Sequence, residues 1–147
     1  MKLSTAYVAH PLSGDLVGNV TRVRMWLRFL LEAEPDVAFG CPWLPYVEVL
    51  DDGVPAHRAR GLRDCLAFVP KFDGIVLVGG KISSGMRLEL DVAETAGLWV
   101  ADLTNWGRFP PGTGLAEVSR AVGMLADGRA RWERNKAFAT GATEDAS

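Results

Sequence analysis

Asp73-Gly74-Ile75-Val76-Leu77-Val78-Gly79 is one acid followed by an unbroken apolar run that ends in glycine. A strand with one face in water alternates apolar and polar positions, and this one does not. It reads as a strand buried on both faces, so helices must cover both sides of a parallel sheet. The rest of the chain supplies such elements. Leu3 to Ala9 is a second strand candidate, broken by His10-Pro11-Leu12-Ser13-Gly14. Leu16, Val20, Val23, Leu27, Leu30 and Leu31 then recur at helical spacing, with Thr21, Arg22, Arg28 and Glu32 on the polar side. Ser13 or Asp15 caps this helix and Pro35 ends it. Val37 to Cys41 predicts a short strand. Pro42 to Pro55 holds three prolines and Asp51-Asp52-Gly53, and predicts a loop. Leu62, Cys65, Leu66 and Val69 mark a second helix, and Ser83-Ser84-Gly85 opens a third that ends near Gly97. Leu98 to Leu103 is a fourth strand. Leu115, Val118, Val122 and Leu125 mark a last helix with a basic extension through Arg129, Arg131, Arg134 and Lys136.

This alternation predicts an α/β fold with a short parallel sheet of four to five strands. A chain of 147 residues suits a single domain, taken here as 1–139, with 140–147 a flexible polar tail. Hydrophobic residues make up 48% and charged residues 23%, which excludes a mainly disordered chain. The formal net charge of −2 gives no footprint for polymeric nucleic acid or an anionic membrane. No apolar run approaches the roughly 18–20 residues of a membrane span. Met1-Lys2-Leu3-Ser4 leads into a stretch too short and polar for a secretory signal, so a cytoplasmic location is expected. Cys41 and Cys65 lack metal-ligand spacing, and His10 and His57 are the only histidines. Free thiols and no zinc site are expected.

Ligands of parallel sheets bind beyond the carboxyl ends of the strands, which points to the loops 10–15, 79–85 and 103–112. Glu89 is the residue that breaks the pattern nearby. On a helical wheel it falls among Met86, Leu90, Val92, Ala93 and Ala96, whereas Arg87, Asp91, Glu94 and Thr95 take the other arc. A lone charged carboxylate on a core-facing stripe costs several kcal/mol, so Glu89 needs a partner, a raised pKa or a cleft. Arg87 or Arg22 is the partner if the residue only shapes the fold; a cleft makes it a site. Ser83, Ser84 and Gly85 form a helix start suited to an anion, with Ser84 as the plain cap otherwise. Gly79 adds backbone freedom beside it. Tyr7 sits mid-strand, with a hydroxyl able to reach that side of the sheet. His10, Ser13 and Gly14 line the first loop, and Asp102 closes the last strand.

Tyr7-Val8-Ala9-His10-Pro11-Leu12-Ser13-Gly14 with Asn19, then Asp73 to Val78, then Ser84-Gly85-Met86-Arg87-Leu88-Glu89, resembles the nucleoside 2-deoxyribosyltransferase-like superfamily, which includes nucleotide N-glycosidases. The resemblance spans roughly residues 5–104, and the Ser-Gly-x-x-x-Glu element is its most specific part. It implies a flavodoxin-like, Rossmann-like three-layer sandwich. It implies a glutamate nucleophile at Glu89 acting on C1′ of a sugar, oriented by Tyr7. Ser84 is then a contact for the 5′ end, and Asp73, a loose match, assists the base. His10, Ser13, Gly14, Asn19, Gly79, Ser83, Gly85, Arg87 and Asp102 complete the expected substrate contacts; Met86-Arg87 departs from the family's pattern, and Arg87 there is either a 5′-phosphate contact or a charge that neutralises Glu89 and blunts its nucleophilicity. The implied substrate is a small nucleoside or nucleotide, no cofactor is required, and the implied assembly is a homodimer or larger. A module of the same fold that binds a nucleotide derivative without cleaving it is the alternative.

Overall fold

A computed structural model describes residues 3–112 and 123–145 of the protein. Four strands, β1 Ser4–Ala9, β2 Val37–Gly40, β3 Gly74–Leu77 and β4 Trp99–Asp102, pair in the order β2-β1-β3-β4, and every pair is parallel. All four residues of β3 are buried, as its unbroken apolar run requires. The described α-helices are α1 Leu16–Ala33, α2 Trp43–Val49, α3 Pro55–Phe68, α4 Ser84–Thr95 and α5 Met124–Asp145. α5 packs on β4 and meets the end of α1, where the Leu125 N–H donates to the Glu34 carboxylate at 3.3 Å. α3 packs against both α2 and α4 on the other face. The result is a three-layer, flavodoxin-like sandwich around an open parallel sheet. Tyr7, Trp26, Phe29, Leu30, Ile75, Leu77 and Leu90 are among the fully buried side chains.

Two local expectations are corrected. The segment 42–55 is not simply a loop, because α2 lies within it. Pro42 stands at the N-cap and Pro45 in the first turn, where backbone N–H groups have no helical partner and proline removes nothing. α1 buries a different arc from the one its leucines mark. Asn19, Arg22, Val23, Trp26, Phe29, Leu30 and Ala33 face inward, while Leu16 and Leu31 are exposed. Trp26 and Phe29, which meet edge to face, carry the largest apolar areas and set the rotation of the helix. Arg22 is thereby turned inward. Of the marks for the last helix, Leu125 is buried, and Leu115, Val118 and Val122 lie outside the described residues. α5 runs as helix to Asp145, into the segment 140–147 set apart above as the tail.

β1 and β3 lie side by side at the centre, and the chain leaves them toward opposite edges. This is the topological switch point of a doubly wound sheet, where a crevice opens at the carboxyl ends of the strands.

Candidate active site

A cavity of about 380 Å³ opens at that crevice. Its walls are the loop after β1, the α2–α3 segment and the start of α4, and Glu89 forms part of the lining. The size lies in the range of small-molecule sites. Glu89 is 8% exposed, on the buried face of α4 with Met86, Leu90 and Ala93. Among the described residues it makes no ion pair. Arg22 is committed elsewhere, its Nη2 donating to Asn19 Oδ1 at 2.7 Å and lying 3.4 Å from Asp15. Arg87, expected as a phosphate contact, is exposed and is not among the residues that line the cavity. Burial therefore acts on Glu89 without a counter-cation and pushes its carboxyl up to about 7, with the Tyr7 hydroxyl pulling the other way.

Tyr7 is fully buried in β1, and its neighbours explain its ionisation. Burial first, then the charge of Glu89, raises the phenol far above its ordinary value. Its hydroxyl stands close enough to Glu89 for each group to affect the other's proton. Yet it completes no well-formed hydrogen bond. Contacts of this kind are often long in an empty site and tighten on ligand binding. Cys65 lines the cavity, and burial followed by the Glu89 charge pushes its thiol up to about 11. The Cys41 thiol is raised for the same two reasons. Both cysteines are free, Cys65 buried and Cys41 half-buried, and neither is an activated thiolate.

Ser83, not Ser84, caps α4. Its Oγ accepts the Met86 N–H at 3.3 Å, and its own N–H points to Met86 Sδ at 3.4 Å. Ser84 and Gly85 are left at the cavity wall, with open space over Gly85. In the first loop, His10 is 4% exposed and lines the cavity. Its Nδ1 lies 2.6 Å from the Pro11 carbonyl oxygen and must donate to it. Burial lowers the pKa of the ring, so it is held neutral with Nε2 as an unpaired acceptor. Gly79 is what admits this ring. Its φ is +102°, and a Cβ there would stand 2.8 Å from His10 Nε2. Ser13 reaches the cavity; Gly14 only turns the chain, at φ +92°. Asn19 stands behind the loop and braces it, Nδ2 donating to Leu12 O at 3.0 Å and to Ser13 O at 3.4 Å.

The fold brings neither Asp73 nor Asp102 to Glu89. Asp73 sits at the amino edge of the sheet, where Oδ2 accepts the Thr5 N–H at 2.8 Å and the Thr5 hydroxyl at 3.1 Å. Strand polarity puts it at the wrong end for a role beside Glu89. Asp102 lies at the carboxyl end of β4 but in a separate cleft with Asn105, Trp106 and Arg131. Its Oδ1 accepts the Thr104 N–H at 2.9 Å, and its Oδ2 lies 3.5 Å from Arg131 Nε.

The wall contributed by α2 and α3 has no counterpart among the expected residues. Trp43, Tyr46, Val47 and Leu50 line the cavity from α2 and its C-cap, and Asp52, His57 and Arg58 from beyond it. Trp43 is anchored by Nε1 donating to Val8 O at 3.0 Å, and Tyr46 by its hydroxyl donating to Asp64 at 2.9 Å. A signal was present: 43, 46, 47 and 50 are spaced i, i+3, i+4, i+7, a helical stripe obscured by the prolines. Among the described residues no cluster of His, Cys, Asp and Glu is arranged to hold a metal ion, and no helix is long and apolar enough to cross a membrane.

The fold and cavity define an α/β protein of the doubly wound, flavodoxin-like class with a small-molecule-sized site at its switch point. The family described as "Domain of unknown function (DUF7768)" matches residues 4–102, and the chain belongs to that family. The matched span holds all four strands and every residue of the cavity wall, and α5 lies beyond it. No curated protein matches the chain.

Proposed function

We propose that the protein cleaves, or transfers at, the N-glycosidic bond of a (deoxy)nucleoside or nucleoside 5′-monophosphate, with Glu89 as the nucleophile. The observation that carries this reading is the buried, unpaired Glu89 carboxylate in the wall of a cavity of nucleoside size. A carboxylate oxygen attacks C1′, the bond from C1′ to the base nitrogen breaks, and the base leaves with the electron pair and takes up a proton. With Asp73 and Asp102 elsewhere, and the His10 Nδ1–H committed to Pro11, that proton comes from another cavity-wall group or from water. Water then opens the glycosyl ester and gives hydrolysis; a second base at C1′ gives transfer. Tyr7 is the positioning residue for Glu89. The second reading, a module of the same fold that binds a nucleotide derivative and leaves it intact, uses the same cavity.

Chromatography for free base separates the two. The protein and Glu89→Ala are incubated with deoxy- and ribonucleosides and their 5′-monophosphates, with and without an acceptor base. Release by the wild type alone supports the glycosidic reading. Release that survives Glu89→Ala sinks it, and binding without release favours the module.

A further inference from the structure

The α3 helix carries three arginines near the cavity, and they differ in one respect. Arg60 Nε lies 2.7 Å from Asp64 and Arg63 Nη2 lies 2.9 Å from the same carboxylate, so both are engaged along the helix. Arg58 has no ion pair among the described residues, and it is the arginine that lines the cavity. Beside it, His57 accepts the Asp51 N–H at Nδ1 at 3.0 Å, so the neutral ring carries its proton on Nε2 and adds a second donor to the same wall. Of the acids that share the cavity, Glu89 where ionised repels an anionic group placed near α4, and Asp52 stands ahead of α3 on the wall that also carries His57 and Arg58. An acidic substituent held by the Arg58 guanidinium and the His57 donor lies at the first turn of α3, away from the buried carboxylate on α4.

We infer that Arg58, supported by His57, is the specificity-determining residue that selects a phosphate-bearing ligand, a nucleoside 5′-monophosphate over the free nucleoside. The inference rests on the glycosidic or nucleotide-binding reading above. It moves phosphate recognition from Arg87, which lies outside the cavity, to the opposite helix. A guanidinium donates two parallel hydrogen bonds to phosphate, and such bonds are about twice as strong as neutral ones.

The test uses the full chain carrying Glu89→Gln, so that no turnover disturbs binding. Calorimetry measures the four common deoxynucleosides and their 5′-monophosphates against this protein, and against it with Arg58→Gln, Arg58→Lys, Ser84→Ala or Arg87→Gln added. The monophosphate is expected to bind about tenfold tighter than its nucleoside or better. Arg58→Gln should remove that preference while leaving nucleoside affinity in place, Arg58→Lys should restore part of it, and Arg87→Gln should not change it. The preference should also shrink with added salt. Equal affinity for nucleoside and monophosphate overturns the role of Arg58 and leaves the glycosidic reading to the base-release assay. So does a preference lost in Ser84→Ala but kept in Arg58→Gln, which would assign the phosphate to the start of α4. Failure of every probe to bind removes this inference and the functional reading together.

Discussion

Glutamine at position 89 keeps the shape of the side chain and removes its titration. Folding raises the Glu89 carboxyl from 4.5 to about 7, chiefly by burial. Each tenfold change in proton affinity is worth about 1.4 kcal/mol, so the rise corresponds to about 3 kcal/mol. The sign follows from which state holds the proton. Below pH 4.5 the side chain is neutral in both states and costs the fold no buried charge. Between pH 4.5 and about 7 the unfolded chain has released its proton while the folded chain still holds it. Ionisation then favours unfolding, and stability is lost until the folded carboxyl also ionises near pH 7. Glu89→Gln has no such loss. Urea denaturation of both proteins from pH 4.5 to 8.5 should give a stability difference that grows by about 3 kcal/mol in favour of Glu89→Gln and levels off above pH 7. At the alkaline end this is a melting-temperature gap of about ten degrees for a chain of this size. Taking the difference between the two proteins cancels the other titrating groups. A difference that stays flat with pH would refute the reasoning, since Glu89 would then ionise alike in the folded and unfolded chain.

Asp73→Ala tests the placement of that residue at the amino edge: it should cost about 1–2 kcal/mol in urea denaturation through the lost Thr5 hydrogen bonds, and any base release should persist. Loss of release with stability intact would return Asp73 to the site. Gly79→Ala forces a Cβ against the His10 ring and Pro11 at a left-handed φ, and should destabilise by at least about 1–3 kcal/mol; an unchanged denaturation midpoint would mean that the turn relaxes freely.

The sequence made Glu89 stand out because a helical wheel is a local object. Met86, Leu90 and Ala93 fix which arc of α4 is buried, and Glu89 falls inside it whatever lies opposite. The same reasoning misjudged α1, where counting leucines hid the greater weight of Trp26 and Phe29, and so left Arg22 on the solvent side. Asp73 and Asp102 could be assigned to strand ends from their positions, but not to partners. Thr5 lies 68 residues from Asp73, and that hydrogen bond exists only because β1 and β3 are neighbours.

Strand and helix periods, the burial of β3 on both faces and the anomaly of Glu89 depend on residues a few positions apart, and they are legible along the chain. Which elements face Glu89 across the cavity depends on strand order. The pairing β2-β1-β3-β4 sends the chain after β2 over the sheet, and this lays α2 and α3, with Trp43, His57 and Arg58, against the start of α4. No local pattern carries that order, because it is set by how the layers bury their apolar faces together. A buried carboxylate was therefore readable in one dimension, while the wall opposite it, and with it the choice of ligand, arises only from packing in three.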